Sequence, residues 1–332
     1  MQKIQDYALI GNGRSVALIS RDGSMDWLCW PRFDSSSLFA KIVDKQTGGH
    51  WKIGPIASSE IKREYIAGIN VLQTRFTTES GIIIITDFMP AFSEEEKEKT
   101  LQPEHEIIRR VECEKGEVEI QIEFDPRPNY GRDNPDIKDA GTLGIRIERN
   151  GQLITLKSDV KLSVKDGKCK AQSKLKAGSQ LDFSLMYSKE GPAVIPPLGD
   201  LITKKLSLTV DWWQNWCRQI KYKGPYKKQV ERSALALKLL SYAPSCSIIA
   251  APTTSLPERI RGNLNWDYRF CWLRDAAFTV KAFFGLGLND EADAFVSWLL
   301  HSTRLTLPRL KVLYDVYGES PGNNQILPYM SG

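Results

Sequence analysis

Glu117-Val118-Glu119-Ile120-Gln121-Ile122-Glu123-Phe124 alternates polar and apolar side chains at every step. Successive side chains of a strand point to opposite faces, so this stretch predicts a half-buried β-strand. The same period recurs in Leu181, Phe183, Leu185 and Tyr187, and in Val160, Leu162 and Val164. Asn150-Gly151 and Asp166-Gly167 stand between such runs, and these dipeptides accept the positive φ of tight hairpin turns. Ile82-Ile83-Ile84-Ile85 is β-branched throughout and predicts a strand buried on both faces. Glu94-Glu95-Glu96-Lys97-Glu98-Lys99 reads as a solvated loop between strands. Many short strands joined by turns, without intervening helices, predict an antiparallel β-sandwich over residues 1–200.

Beyond Leu201 the pattern changes. Asp211 to Ile220 carries Trp212, Trp213 and Trp216 and predicts a connecting helix that buries its aromatic face, within a linker at 201–224. Pro225 can open the next helix, where its missing N–H costs nothing. Tyr226, Val230, Leu237 and Leu240 fall near one face of that helix, and Pro244 stops it. A third helix is expected from about Leu273 to Phe284, ending at Gly285 or Gly287. Asn289 can cap a fourth, with Asp290 and Glu291 favourable against its dipole and Ala292, Phe295, Val296 and Leu299 as its apolar stripe. Residues 225–332 are thus expected to be almost entirely helical, and the chain to be a multidomain β + α protein.

The chain has 332 residues, of which 42% are apolar and 26% charged, an ordinary globular composition that argues against extended disorder. Lys and Arg number 45 against 40 Asp and Glu, a net charge of +5, and the two signs are interspersed. No basic stripe is present to grip phosphates, so a nucleic-acid partner is not expected. No apolar run approaches the roughly 20 residues that span a bilayer, so no membrane partner is expected either. Met1-Gln2-Lys3-Ile4-Gln5-Asp6-Tyr7 lacks the charged-then-apolar pattern of a secretory signal. The six cysteines (Cys29, Cys113, Cys169, Cys217, Cys246 and Cys271) contain no C-x-x-C pair and read as reduced thiols in a cytoplasm. His50, His105 and His301 show no metal-ligand spacing, so neither a metal nor a cofactor is expected.

Generic nucleotide and nucleophile motifs are absent. Gly11-Asn12-Gly13 reads as a turn, because Val16 stands where a dinucleotide loop needs its third glycine. There is no G-K-S/T phosphate loop and no G-x-S-x-G elbow. What remains is Asn265-Trp266-Asp267-Tyr268-Arg269-Phe270-Cys271-Trp272-Leu273-Arg274-Asp275. Arg274 and Asp275 set a planar five-donor fork beside an acceptor-only carboxylate. Tyr268 and Trp272 lie four apart and would share a side if the chain is helical there. Ring faces beside directional polar groups suit a sugar, whose C–H face packs on a ring while its hydroxyls need partners. An interdomain plug with an internal salt bridge fits the same residues.

The chain resembles glycoside hydrolase family 15, particularly its bacterial glucoamylase-like and trehalase-like members. The stretches that carry the resemblance are Tyr7-Ala8-Leu9-Ile10-Gly11-Asn12-Gly13, Asp22-Gly23-Ser24-Met25-Asp26-Trp27-Leu28-Cys29-Trp30-Pro31-Arg32-Phe33-Asp34, Ala251-Pro252-Thr253-Thr254-Ser255-Leu256-Pro257-Glu258, and the Asn265–Asp275 segment. The resemblance implies an N-terminal β-sandwich, a helical linker and an (α/α)6 barrel, of which 225–332 would be the first part. It implies hydrolysis of an α-glucosidic bond, of a maltooligosaccharide or of trehalose, with inversion by two glutamates. It implies that Arg274 and Asp275 hydrogen-bond sugar hydroxyls, with Tyr268 and Trp272 as aromatic walls. The Asp22–Asp34 stretch would lie near the barrel mouth, where Trp27, Trp30 and Arg32, with Trp266 and Asp267, are candidates; a packing patch between domains is the alternative. Both catalytic glutamates lie well downstream in such proteins and are expected beyond Gly332. Glu258, Glu291 and Glu319 do not match their positions. A barrel of twelve helices has room here for about four or five. The chain is therefore expected to be the front part of such an enzyme, inactive alone and with apolar helix faces uncovered. A non-catalytic carbohydrate-binding subunit, completed by a second polypeptide, is the alternative.

Overall fold

The computed structural model describes residues 3–149, 151–189, 193–259, 262, 264–304, 306–322 and 326–330. Strands β1 (Tyr7–Gly11), β2 (Val16–Ser20), β3 (Ser24–Cys29), β4 (Ser37–Phe39) and β5 (His50–Pro55) open the chain. β6 (Glu60–Tyr65), β7 (Leu72–Thr77) and β8 (Gly81–Phe88) follow, then the 21-residue β9 (His105–Asp125). β10 (Ile137–Asp139), β11 (Ile145–Arg149), β12 (Gln152–Ser158), β13 (Ser163–Lys165), β14 (Lys168–Lys176) and β15 (Gln180–Ser188) complete the set.

All pairings are antiparallel, and β9 belongs to two layers. Its second half pairs with β5 and β14, in the layer β1-β2-β3-β5-β9-β14-β13. Its first half pairs with β8 and β15, in the layer β6-β7-β8-β9-β15-β12-β11-β10. The crossing is at Gly116, with φ +71°, where an added Cβ would lie 2.1 Å from the Ser80 carbonyl oxygen. Only glycine meets both demands. Between the layers, Ile53, Ile120, Ile122 and Phe124 pack with Phe76, Ile83, Ile85 and Val111. The Glu117–Phe124 alternation thus holds, with its apolar members inside.

One ion pair lies inside that core. Arg109, fully buried, donates to Asp87 at 2.7 Å and to the carbonyls of Trp51 and Gly23 at 2.8 Å each. Asp87 is on one layer and Trp51 on the other, so the guanidinium staples them with its charge and donors matched.

Several local expectations change. Ile82-Ile83-Ile84-Ile85 alternates: Ile83 and Ile85 are buried, Ile82 and Ile84 half-buried. The strand expected at Val160–Val164 shrinks to β13, because the Ser158 hydroxyl accepts from the Val160 N–H at 3.0 Å and bends the chain. Asp166 and Gly167 make the two-residue turn at φ 51° and 70°, whereas Asn150 lies outside the described residues. Glu94–Lys99 is a short exposed helix, α1, capped by Ser93 and laced by Lys97–Glu94 and Lys99–Glu95 pairs.

α2 (Asp200–Cys217) starts earlier than expected and does more than connect. It lies on the outer side of the second layer, where Arg110 pairs with Asp182 at 2.7 Å and donates to Thr203 at 2.9 Å, and Lys205 pairs with Glu106. This cover explains why the polar partners of Phe183 and Leu185, namely Asp182 and Ser184, are also buried. α3 (Lys227–Leu239) buries Ala234, Leu235 and Leu239; Tyr226 stands before it at φ 58° and is 76% exposed, not on its apolar face.

α4 (Leu273–Gly285) and α5 (Asn289–Arg304) are close to their expected bounds. On α5 the inner stripe holds Trp298 beside Ala292 and Phe295, while Val296 is exposed. Residues 225–332 are not almost entirely helical. Between α3 and α4 the described chain is irregular, held by a Ser241–Ile248 bridge and a Thr254–Asp267 bridge, and β16 (Cys271–Trp272) pairs with β17 (Leu313–Tyr314). Three helices are present in this part among the described residues. They share a core with the sandwich: Val71, Phe88 and Ile108 pack with Trp213, Leu235, Phe283 and Phe295. No helix among the described residues is long and apolar enough to cross a membrane.

Candidate functional site

Two of the singled-out stretches run side by side. The Ala250 N–H donates to the Phe270 carbonyl at 3.1 Å, the Ala251 N–H to the Tyr268 carbonyl at 2.8 Å, and Thr254 bridges Asp267. The chain through 266–272 is not helical: it is bent at Arg269 and Phe270, where the Arg269 N–H donates to Asp267 Oδ1 at 3.0 Å, and becomes strand only at Cys271–Trp272. Trp266, Tyr268 and Trp272 form one face: the Trp272 ring centroid is 6.2 Å from Trp266 and 5.9 Å from Tyr268. Trp272 is fixed by its Nε1–H, which donates to the Asp267 carbonyl at 2.9 Å. The Tyr268 hydroxyl donates to Glu258 at 3.0 Å, and Trp266 is 41% exposed.

Asp267 and Arg269 take the opposite face. Arg269, 4% exposed, forms a bidentate pair with Asp267 at 2.6 and 2.9 Å. Its remaining Nη1–H groups reach the Ser35 carbonyl at 2.6 Å and the Cys29 sulfur at 3.5 Å, and the guanidinium lies 5.7 Å from the Tyr130 ring centroid. Burial pushes the Cys29 thiol up to about 11, outweighing the nearby guanidinium, so at neutral pH it is a thiol and not a nucleophilic thiolate. Asp267 therefore serves Arg269, and Arg269 anchors the stretch to the sandwich. Sequence reasoning missed Arg269, because its Ser35 partner lies 234 positions earlier in the chain.

Trp272 leads directly into α4, whose first turn carries Arg274 and Asp275. Arg274 Nη2 donates to Asp275 at 3.1 Å, with side chains 70% and 32% exposed. Asp275 also gains from the positive end of the helix dipole. An exposed fork and carboxylate next to a wall of rings can exchange hydrogen bonds with a polyhydroxy ligand that enters from solvent.

The Asp22–Asp34 residues are placed differently from one another. Trp27 is fully buried between the domains, its Nε1–H donating to the Pro252 carbonyl at 2.6 Å. Trp30 goes to the sandwich interior, against His105 and Tyr187, with its Nε1–H on Ser15 at 2.8 Å. Neither offers a ring face to a ligand. Arg32 pairs with Asp34 at 2.9 Å and lies 3.9 Å from Asp315 and 5.2 Å from the Tyr317 ring centroid, tying the loop to the segment after α5.

Of the three glutamates singled out, Glu291 is occupied by Lys238 and by the Trp216 Nε1–H at 2.8 Å. The Glu319 backbone N–H is held by Asp315 at 2.8 Å. Glu258 alone meets the aromatic face, through Tyr268. Among the described residues no group of three or more His, Cys, Asp or Glu side chains is placed to hold a metal ion.

Residues 1–180 match the family described as trehalase-like, N-terminal, and residues 224–327 match glycosyl hydrolases family 15. The chain belongs to the trehalase-like proteins of family 15. It is 33% identical over 331 residues to a trehalase of Thermoplasma volcanium, covering 98% of this chain and 52% of that one. A trehalase of Mycobacterium tuberculosis is 31% identical over 351 residues, covering 99% and 51%. Trehalase 1 of Sulfolobus acidocaldarius is 32% identical over 349 residues, covering 100% and 55%. This trehalase-like chain thus spans about half the length of the relatives it matches.

Proposed function

We propose that the chain supplies the glucose-recognition part of an inverting glycoside hydrolase, and that its α-glucoside is trehalose. The observation that carries this reading is the exposed Arg274–Asp275 pair beside the Trp266, Tyr268 and Trp272 rings. Asp275 accepts from sugar hydroxyls, Arg274 donates to two hydroxyl oxygens at once, and the rings take the C–H face. The choice of trehalose over a maltooligosaccharide rests on the names of the relatives.

Inversion needs one carboxylic acid on the leaving oxygen and a second carboxylate that activates water on the opposite face. Glu291 is tied up, and Glu258 is one carboxylate, not two. We assign 1–200 to the sandwich, 201–224 to the linker, and 225–332 to the first part of an (α/α)6 barrel whose remaining helices bring the acid and base. Apolar side chains left open on α4 and α5, such as Phe278 at 69% and Leu300 at 60%, support that assignment. Six free cysteines fit a reducing compartment, and we place the protein in the cytoplasm.

The test is glucose release from trehalose and from maltose, by the chain alone and by the chain joined to the C-terminal half of the Thermoplasma volcanium trehalase. The chain alone should be nearly inactive, since each acid or base role contributes about 10²–10⁴-fold. The joined protein should act on trehalose. Turnover by the chain alone near the rate of the intact relative would overturn the reading, as would a folded, joined protein that ignores both sugars.

A further inference from the structure

A cleft of about 610 Å³ lies away from the motif, where three parts of the chain meet. Its walls are the turn after β1, the β8–β9 connection with α1, and the facing surfaces of α2 and the end of α3. The turn is held firmly. Asn12 Oδ1 accepts from the Arg14 N–H at 3.1 Å, and the Ala243 N–H donates to the Gly13 carbonyl at 2.7 Å. The cleft shares no residue with the Asn265–Asp275 segment.

The charges around it are already matched. Arg14 faces Glu104 at 3.9 Å, Lys97 pairs with Glu94 at 2.5 Å, and Lys238 pairs with Glu291 at 2.5 Å. No cation is left over to hold an anion, and no lining carboxylate is left over to hold a cation. Each paired group still has donors or lone pairs to offer, because one ion pair does not exhaust a guanidinium, an ammonium or a carboxylate. Between them stand the half-buried Trp212 ring and the 73% exposed Leu101. An indole beside balanced donors and acceptors, with no surplus charge, matches a neutral polyhydroxy ligand: C–H groups go to the ring and hydroxyls to both signs of partner. The volume falls within the about 300–1,000 Å³ typical of small-molecule sites.

We propose that this interdomain cleft is a second sugar site, independent of Arg274 and Asp275, that takes a neutral mono- or disaccharide. It does not depend on the function proposed above. Its wall at Ser241, Ala243 and Pro244 follows α3 directly, and the chain reaches Ala250 and Ala251, which hydrogen-bond Phe270 and Tyr268, only further on, outside the cleft.

The test is titration of the chain with glucose, maltose and trehalose, followed by tryptophan fluorescence and calorimetry, with inorganic phosphate as the anionic probe. At least one sugar should bind saturably, with a Kd of order 1 mM. Trp212→Ala and Leu101→Trp should each weaken it about 10-fold or more, the second by narrowing the cleft from an exposed position that cannot endanger the fold. Asp275→Asn, which disarms the motif, should leave this binding in place. Failure of all three sugars to saturate by about 100 mM would overturn the proposal. So would sugar binding that survives Leu101→Trp but is lost in Asp275→Asn, or saturable phosphate binding where the sugars do not bind.

Discussion

Arg269 donates to the Ser35 carbonyl oxygen at 2.6 Å, across the junction between the β-sandwich and the helical part. The same guanidinium holds Asp267, whose carbonyl in turn fixes the Trp272 indole. A sandwich loop therefore sets the position of a ring on the proposed sugar wall through two intermediates. The N-terminal domain is thus more than a neighbour of the site: it aligns one side of it.

Arg269→Met should destabilise the chain strongly. It removes the charge partner of Asp267 and leaves the Ser35 carbonyl without its donor. Breaking a buried pair from one side costs about 3–5 kcal/mol, and Asp267, with a side chain 23% exposed, moves the value toward the lower end. Urea denaturation reads the loss. Asp267→Asn should cost less, and the double variant should fall short of the sum, because both changes break one network.

His105 should give the fold an acid limb. Burial holds its pKa down to about 4, against an ordinary value near 6.5, and Nδ1 has no hydrogen-bond partner among the described residues. The folded pKa is lowered, so between about pH 6.5 and 4 the unfolded chain binds a proton that the folded chain refuses. The stability is full above about pH 6.5 and is lost as pH falls, by about 3 kcal/mol in total. His50, also lowered chiefly by burial, acts in the same direction. His105→Phe keeps a ring between Trp30 and Tyr187 and should flatten the limb in denaturation curves taken at pH 7, 5.5 and 4.

How much of this was legible in the sequence differs by residue. The alternation at Glu117–Phe124 gave away half of β9, because that half has one apolar face and one open face. The other half hides Glu106, Arg109 and Arg110 in buried pairs, so its strand pattern is invisible until α2 and Asp87 are in place. Ser93 three residues before Glu96 was a helix-start signal at α1 that charge alone obscured. Arg274 and Asp275 could be singled out as types of side chain. The role of Arg269 could not, since its partner lies 234 positions earlier and no local period encodes it.

The chain should self-associate through the helical part. Phe278, Leu300, Leu307 and Val312 are each 60% or more exposed. Phe278→Ser combined with Leu300→Glu should shift the chain toward monomer in sedimentation velocity at tens of micromolar, with circular dichroism unchanged. Exposed positions of this kind change stability by about 0.5 kcal/mol or less. Identical sedimentation of the variant and the parent would show that these side chains are not the sticky surface.

Arg274 and Asp275 should matter for affinity and not for folding. Their side chains are 70% and 32% exposed, so the pair bound to itself contributes little stability, and loss of the dipole interaction of Asp275 costs about 0.3–1 kcal/mol. A sugar changes the accounting, because each group then holds hydroxyls that water must otherwise serve. Losing one good hydrogen bond to a charged group costs about 1.5–3 kcal/mol, or roughly 10- to 150-fold in affinity. Arg274→Lys replaces a planar fork by a point charge and should be nearly as damaging as Asp275→Asn. In the protein joined to the C-terminal half of a relative, both should lower kcat/KM for trehalose by that factor while Tm moves by only about 1–3 °C. If the pair instead braces the start of α4, Tm falls well beyond that and kcat/KM of the enzyme that remains folded does not change. Measured on the same two variants, these outcomes exclude one another.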